Sequence, residues 1–227
     1  MEKFVFNVRE DSRELLSGLS MGYIHFSEVK NSKCNQEIDK IIENACRLVR
    51  EKFRGKEISD EPILRAMRSI YSKIGIDPTK DRPSGEALIR RVVGGKGIYR
   101  INAVVDANNA VSLLTGFPCG VYDAEKIEGG RITVSVAKEG EFYEGIGGAR
   151  VDAGNKIVTS DVLGYFGGPT ADSKRTCVSV GTREVLMLIY CHESGNGGLE
   201  NAIEIAKESM AKAAGASAIY SGILSIG

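Results

Sequence analysis

The sequence contains no tryptophan, only two histidines and five prolines among 227 residues, and no long apolar run. A helix that crosses a bilayer needs roughly 20 mostly apolar residues in succession, and no segment provides them. The first four residues also lack the apolar centre of a secretory signal. We therefore expect a cytoplasmic protein of ordinary globular composition, in which residues 1–227 form one domain.

Metal ligands and cofactor motifs are also scarce. The five cysteines are odd in number and contain no C-x-x-C pair, and the two histidines, His25 and His192, lie far apart. A structural zinc site needs four nitrogen or sulfur ligands at regular spacing. No glycine-rich segment has Walker or G-x-G-x-x-G spacing between a strand and a helix. We therefore expect reduced cysteines, no metal and no cofactor.

Charge provides no overall attraction to nucleic acid, because 30 basic residues balance 30 acidic ones. RNA contact would require a local cluster, and the clearest candidate surrounds a glycine turn. It consists of Arg90, Arg91, Lys96 and Arg100. An ordinary solvated surface is the simpler interpretation of such a cluster, since basic residues decorate most helices.

The N-terminal half and the C-terminus have the periodicity of helices preceded by short strands. Asn35 is a suitable N-cap, Pro62 suits the first turn of a helix, and Gly75 suits a helix end. The predicted strands span residues 4–8 and 22–26, and the predicted helices span residues 35–53, 59–75, 84–93 and 199–214.

A further helix is predicted from Arg100 to Thr115, with Gly116 as its C-terminal cap. At about 100° per residue, Asn108 falls in the middle of the apolar stripe, whereas Asn109 lies on a neighbouring face. A buried amide requires hydrogen-bond partners or a ligand. Asn108 is therefore predicted to be buried and hydrogen-bonded, and bracing of a loop is an alternative to ligand binding.

The segment after Pro118 is rich in residues that favour strands, separated by glycine-rich turns. A β-rich half packed by several helices predicts an α+β fold. The glycines Gly167 and Gly168 permit close approach of a ligand, although tight hairpins need the same residues. The predicted strands span residues 120–123, 131–137, 156–158, 162–166, 177–180 and 185–191.

Ordered motifs in this half resemble the B3/B4 editing domain of phenylalanyl-tRNA synthetase beta subunits. Residues 100–111 read R-I-N-A-V-V-D-A-N-N-A-V and residues 116–123 read G-F-P-C-G-V-Y-D. The family pattern is approximately N-x-V-V-D-x-T-N followed by G-Q-P-L-H-A-F-D. The F-G-G run at residues 166–168 with Ser173 resembles the family's M-G-G-x-x-S turn. The similarity covers roughly residues 82–190, and the flanking segments resemble free-standing B3/4 proteins.

The resemblance also implies candidate site residues and shows where this chain departs from the family. Asn108 replaces the family's threonine, Asn109 is retained, and Gly120 replaces its histidine. Asp172 aligns with the family's acidic residue after the glycine pair, with residues 169–171 inserted before it. The resemblance therefore implies a substrate pocket formed by Asn108, Asn109, Gly120, Gly167, Gly168 and Asp172.

The family's activity suggests a function with clear rivals. The family domain hydrolyses the ester that joins a wrongly attached tyrosine to the tRNA for phenylalanine. The resemblance thus implies binding of an aminoacyl group or tRNA, with hydrolysis in trans as the enzymatic form, and no aminoacylation by this chain alone. A non-catalytic module that binds an amino acid or RNA is the alternative, favoured by the loss of the histidine. A third interpretation uses Cys119 as a nucleophile. Cys191 and His192 are adjacent on a predicted strand and would point to opposite faces.

Overall fold

The computed structural model describes residues 3–33 and 35–227, so the first two residues and Cys34 lie outside the described part. The predicted α+β class is confirmed: helices pack on two four-stranded sheets. The strands are β1 (Val5–Val8), β2 (Leu19–Ser27), β3 (Cys119–Asp123), β4 (Arg131–Val136), β5 (Phe142–Glu144), β6 (Arg150–Asp152), β7 (Ile157–Asp161), β8 (Gly164–Gly167), β9 (Val185–His192) and β10 (Ser217–Ser225). The helices are α1 (Gln36–Lys52), α2 (Pro62–Lys73), α3 (Ser84–Val93), α4 (Ala103–Thr115) and α5 (Asn196–Ala214).

The two large sheets differ in the direction of their strands. One has the order β1-β4-β7-β8, with β1 parallel to β4 and the remaining pairs antiparallel. The other has the order β10-β2-β9-β3 and is antiparallel throughout. The strands β5 and β6 form a separate hairpin. Among the described helices, none is long and apolar enough to cross a membrane.

Strand β9 is buried on both faces because its alternate residues enter two different cores. Its odd-numbered residues, 185 to 191, pack with α1, α4 and α5, and its even-numbered residues, 186 to 190, pack with β1, β4 and α2. Successive side chains of a strand point to opposite faces, so a strand between two apolar layers is apolar throughout. This strand pairs with β3 and thereby fixes one wall of the candidate site.

The predicted helices are confirmed, and capping explains their ends. Asn35 caps α1 by accepting a hydrogen bond from the Ile38 amide, and Pro62 stands at the first position of α2. Helix α4 begins at Ala103 rather than Arg100, because the Asn102 side chain is its N-cap and accepts from the Val105 amide. Gly116 ends α4 in the left-handed conformation at φ 81°.

Two strand predictions need correction, and three strands were not predicted. Residues 177–180 form no strand, since this segment is a loop beside the candidate site. Val162 and Leu163 form an exposed turn, so β8 begins only at Gly164. The short hairpin of β5 and β6 and the long edge strand β10 were not predicted, because their apolar residues are few or exposed and lack clear alternation.

Candidate ligand pocket

A cavity of about 430 Å³ opens where α3, α4 and β3 meet the loop that follows β8. Apolar side chains form most of its wall, and a small number of polar groups interrupt them. This combination is typical of sites for small organic ligands. The apolar wall includes Leu88, Val105, Val121 and Val178, and the polar groups include Arg82, Arg91, Asn108, Asn109 and Asp172.

Helix α4 carries both asparagines of the cavity. Asn108 is buried, as predicted, with 6% of its surface exposed, and its Nδ2 donates to the Cys119 carbonyl oxygen at 3.3 Å. Its Oδ1 is buried and has no hydrogen-bond partner among the described residues. Asn109 is half-buried in the same wall. An unpaired acceptor on a residue that lines a cavity is a candidate partner for a ligand donor.

Asp172 provides a carboxyl group in the lining of the cavity. The Tyr122 hydroxyl donates to its Oδ1 at 2.7 Å. Desolvation raises the pKa of Asp172 from 3.8 to about 7, although the bonds from the Tyr122 hydroxyl and the Gly168 amide favour the carboxylate. The pocket therefore contains a group that changes its charge near neutral pH.

None of the three predicted glycines is among the residues that line the cavity: Gly120 and Gly167 lie against Tyr122, and Gly168 lies against Ile157. A β-carbon at Gly120 would lie 2.8 Å from the Tyr122 Cζ atom, and one at Gly167 would lie 2.7 Å from Asp172 Oδ1. At Gly168 it would overlap the Ile157 carbonyl oxygen. The glycines thus leave room for Tyr122, Asp172 and the neighbouring strand.

The amide of Gly120 faces the sheet rather than the cavity. The Tyr190 amide donates to the Pro118 carbonyl oxygen, so residues 118 and 190 form a hydrogen-bonded pair. Such pairs alternate along an antiparallel ladder, which places Gly120 and Leu188 in the next one. The Cys119 carbonyl consequently points away from β9, where it accepts from Asn108. The Gly120 amide is therefore not positioned to stabilise an oxyanion in the cavity.

Exposed apolar side chains surround the mouth of the cavity. Tyr99 is 68% exposed and Ile146 is 61% exposed, although both line the cavity. The guanidinium of Arg91 lies 3.8 Å from the Tyr99 ring centroid, and its Nε donates to the Gly97 carbonyl at 2.6 Å. Ile146 lies between β5 and β6. The rim thus combines a flat aromatic surface with positive charge.

The predicted basic cluster divides into two kinds of side chain. Arg90 donates to Glu86 at 2.6 Å, and this buried carboxylate also binds Arg68. Arg100 is paired with Asp106 at 2.9 Å and with Asp39 at 2.6 Å. Both arginines are therefore largely neutralised within the protein. Arg91 lines the cavity and Lys96 is exposed, so these two carry the charge that remains available.

The thiol and imidazole groups do not form a nucleophilic pair at the cavity. Cys119 lines it, but burial raises the pKa of its thiol to about 12, so the thiol stays protonated at neutral pH. His25 is buried beside Glu184, and His192 bonds to Ser194. Cys191 is buried whereas His192 is half-buried, as expected for neighbours on a strand. Within the described ranges no cluster of metal-binding side chains was found.

Sequence reasoning missed Tyr122, Arg82 and Tyr99 as residues of this site. Tyr122 lies two positions after Gly120 on β3, so the two residues share one face of the strand. This two-residue period of strands could have been used to predict that Tyr122 lies beside Gly120. Arg82 and Tyr99 lie in irregular segments on either side of α3. Irregular segments have no periodic pattern of apolar residues from which their path could be predicted.

Comparison with known sequences now identifies the family. The B3/4 domain profile matches residues 66–196, which includes α3, α4 and every strand from β3 to β9. The chain belongs to the B3/4 domain family. This domain holds the cavity and all of the predicted site residues, and the segments before and after it add β1, β2, α1, most of α5 and β10.

Relatives of this B3/4 protein are phenylalanine–tRNA ligase beta subunits. The one from Rickettsia conorii is 32% identical over 134 residues, which is 57% of this chain and 15% of that subunit. The one from Lactobacillus acidophilus is 45% identical over 62 residues, which is 27% of this chain and 8% of that subunit. The chain therefore matches only a small part of the length of these relatives.

A solved structure shares the fold. An N-terminal fragment of the phenylalanyl-tRNA synthetase beta subunit from Pyrococcus horikoshii matches 95% of this chain and 50% of the fragment, with a TM-score of 0.50. The sequence identity in this comparison is 12%. At that identity the match describes the arrangement of the chain rather than the chemistry of its pocket.

Proposed function

We propose that the pocket binds an aminoacyl group carried on the end of a tRNA, and that hydrolysis of this ester in trans is its enzymatic activity. The observation that carries the proposal is the pairing of two acceptors in one cavity, the unpartnered Asn108 Oδ1 and the Asp172 carboxyl group. An α-ammonium group donates up to three hydrogen bonds and is complementary to Asn108 Oδ1, which leaves the Asp172 carboxyl group for a second donor such as a water. The names of the relatives supply tRNA as the carrier.

The remainder of the cavity suits the other parts of that ligand. The apolar wall around Leu88, Val105 and Val178 can accept the side chain of the amino acid, where burial of apolar surface is favourable. The exposed ring of Tyr99 at the mouth can stack with a terminal base. Arg91 and Lys96 can contact phosphate groups.

Hydrolysis of an aminoacyl ester requires little from the protein beyond positioning. The ester is already activated, so an oriented water and hydrogen-bond donors for the carbonyl oxygen suffice. Asn109 Nδ2 and the guanidinium of Arg91 are donors in the cavity wall. A site that hydrogen-bonds a distinguishing polar group also discriminates more strongly than an apolar pocket does.

A second function is favoured by one specific observation. Gly120 stands where the family pattern has histidine, and neither His25 nor His192 lines the cavity. A pocket without an imidazole can bind an amino acid or aminoacyl-tRNA without cleaving it. This binding module would use the same acceptors for the ammonium group.

One experiment separates the two functions. The full chain is incubated with a panel of correctly charged and mischarged aminoacyl-tRNAs, and released amino acid is measured over time. Free amino acids and uncharged tRNA are titrated in parallel by calorimetry. Cleavage of at least one mischarged species, abolished in Asn108→Leu, supports editing in trans. Binding without cleavage supports the second function, and neither binding nor cleavage refutes both.

A further inference from the structure

The carboxyl group of Asp172 is held by a hydroxyl group that has little freedom to move. Tyr122 is fully buried, and its ring forms a T-shaped pair with the ring of Phe166, with centroids 4.9 Å apart. Its hydroxyl lies 2.7 Å from Asp172 Oδ1. A buried tyrosine hydroxyl normally needs such a partner, and here the partner is a residue of the cavity wall.

The surrounding backbone leaves space for this hydroxyl group. A β-carbon at either Gly120 or Gly167 would overlap the Tyr122 hydroxyl oxygen. Two strands from different sheets, β3 and β8, therefore carry glycine at the positions that face one oxygen atom. The position of the hydroxyl is thus determined by backbone on two sides rather than by a flexible side chain.

Neutral groups dominate the environment of Asp172. Besides Tyr122, the titratable side chains that interact with it are Tyr143 on β5 and Tyr190 on β9. Desolvation raises the pKa of all three tyrosines, so each stays protonated at neutral pH. Lys174, two residues further along, is exposed and bound to Glu144 at 2.8 Å. Arg82 and Arg91 line other parts of the cavity.

This environment suits a group that both accepts and returns a proton. With a pKa of about 7, Asp172 is close to half ionised at neutral pH, which is the optimum for general acid–base catalysis. Asp172 is half-buried and belongs to the lining of the cavity. The Tyr122 hydroxyl donates to Oδ1, and the Gly168 amide also bonds to the carboxyl group.

We infer that Asp172 is the proton acceptor of this pocket and that Tyr122 is its positioning residue. The inference rests on the proposed ester hydrolysis. In that reaction Asp172 takes a proton from water as the water oxygen bonds to the ester carbonyl carbon. The bond between that carbon and the ribose oxygen then breaks, and the ribose oxygen receives the proton. One water is consumed, the carboxylate is regenerated, and no oxidant or further reactant is needed.

The test combines a titration with a rate profile. The pKa of Asp172 is measured by nuclear magnetic resonance of the full chain labelled with ¹³C-aspartate, for wild type and Tyr122→Phe. Loss of a hydrogen bond to the carboxylate should raise this pKa by about one unit. Tyr71→Phe is the matched control, because the buried Tyr71 hydroxyl bonds to Thr170 at 2.8 Å instead of to a carboxylate. That variant should leave the titration unchanged.

The rate profile uses a mischarged aminoacyl-tRNA that the wild type cleaves. Asp172→Asn should lower the rate at least about 100-fold. In Tyr122→Phe, the acidic limb of the pH–rate profile should move to higher pH. The size of this shift should equal the rise in the Asp172 pKa measured by titration. The inference would be overturned if Tyr122→Phe changed neither the acidic limb of the pH–rate profile nor the Asp172 pKa. Full activity of Asp172→Asn would also overturn it.

The two proposals can fail separately. If the wild type cleaves no ester in the panel, hydrolysis is wrong and Asp172 is not its proton acceptor. The titration then still decides whether Tyr122 positions Asp172, since it requires no substrate. If cleavage occurs but is independent of Asp172, hydrolysis stands and the assignment of the proton acceptor is wrong.

Discussion

Gly120 and Tyr122 lie two residues apart on one face of β3, and the hydroxyl of Tyr122 occupies the space that a β-carbon at Gly120 would need. Any side chain at position 120 would consequently be incompatible with this tyrosine hydroxyl in the observed backbone. That hydroxyl is buried and bound to Asp172, so position 120 is linked through Tyr122 to the polar wall of the pocket.

We predict that Gly120→Ala destabilises the protein by about 1 to 3 kcal/mol, because an added methyl in a packed interior forces its neighbours to move. The double variant with Tyr122→Phe should recover part of this loss. The recovery is partial because the ring atom Cζ remains 2.8 Å from the added carbon. Urea unfolding of the four proteins measures the coupling. Gly97→Ala is the control, since its β-carbon would meet no atom within 4 Å. Additive effects of the two substitutions would contradict the proposed overlap.

Replacement of Asn108 by Leu distinguishes a ligand-binding amide from a bracing one. Its single hydrogen bond, from Nδ2 to the Cys119 carbonyl, is 3.3 Å long, and Oδ1 has no described partner. We expect the free energy of unfolding to change by less than about 1 kcal/mol while ligand binding is lost. Asn102→Ala should instead cost about 0.5 to 2 kcal/mol by removing the N-cap of α4. A loss of 1 to 3 kcal/mol in Asn108→Leu, with binding retained, would indicate bracing.

Charge substitutions in the basic cluster should have unequal effects on RNA binding. Arg91→Gln and Lys96→Gln should each weaken tRNA binding and reduce its salt dependence, because these side chains carry the available charge. Arg90→Gln should mainly destabilise the fold, since the buried Glu86 loses one of two arginines. Filter binding at two salt concentrations and thermal unfolding measure both effects. Equal effects of all three substitutions on binding alone would contradict this division.

Asp172 should make the protein less stable as the pH rises from about 4 to about 7. Its pKa rises from 3.8 in the unfolded chain to about 7 in the folded protein. Between these values the folded state binds more protons, so the free energy of unfolding decreases as the pH rises. Asp172→Asn should remove a decrease of about 1 to 3 kcal/mol, measured by urea unfolding at pH 5 and pH 8.

Glu86 affects stability in a different pH range and does not interfere with that test. Burial alone would raise its pKa, but the hydrogen bonds from Arg68 and Arg90 lower it below 4.5. A carboxylate with a lowered pKa stabilises the fold above its unfolded value, and this stabilisation is lost as the pH falls through the folded value. The two pH values of the Asp172 test, pH 5 and pH 8, both lie above the range in which Glu86 titrates. A slope that persists in Asp172→Asn would mean that another group titrates.

Helices could be predicted from the sequence because their signals are local. Asn35, Pro62 and Gly116 each mark a helix end through a hydrogen bond, a fixed φ or a left-handed conformation. The strand β10 could not be predicted in this way. Its position depends on pairing with β2, almost 200 residues earlier in the chain, and its own side chains are mostly exposed.

In the site, too, local signals could be predicted from the sequence and long-range contacts could not. Asn108 was identifiable because an amide interrupts an apolar helical face, and its burial is confirmed. The neutralisation of Arg100 by Asp39 and Asp106 could not be anticipated, because Asp39 comes from a distant helix. The bond between Tyr122 and Asp172 likewise joins two segments 50 residues apart. Local patterns thus indicate which residues are unusual, whereas their partners depend on the tertiary fold.

The loop between α3 and α4 has no regular structure, yet both of its ends are anchored. Arg91 bonds to Gly97 and stacks on Tyr99, and Asp106 binds both the side chain of Arg100 and the amide of Ile101. These contacts restrict the conformations of the rim before any ligand arrives. The configurational entropy that a mobile rim would lose on association is therefore already lost during folding, which favours both rapid and tight capture.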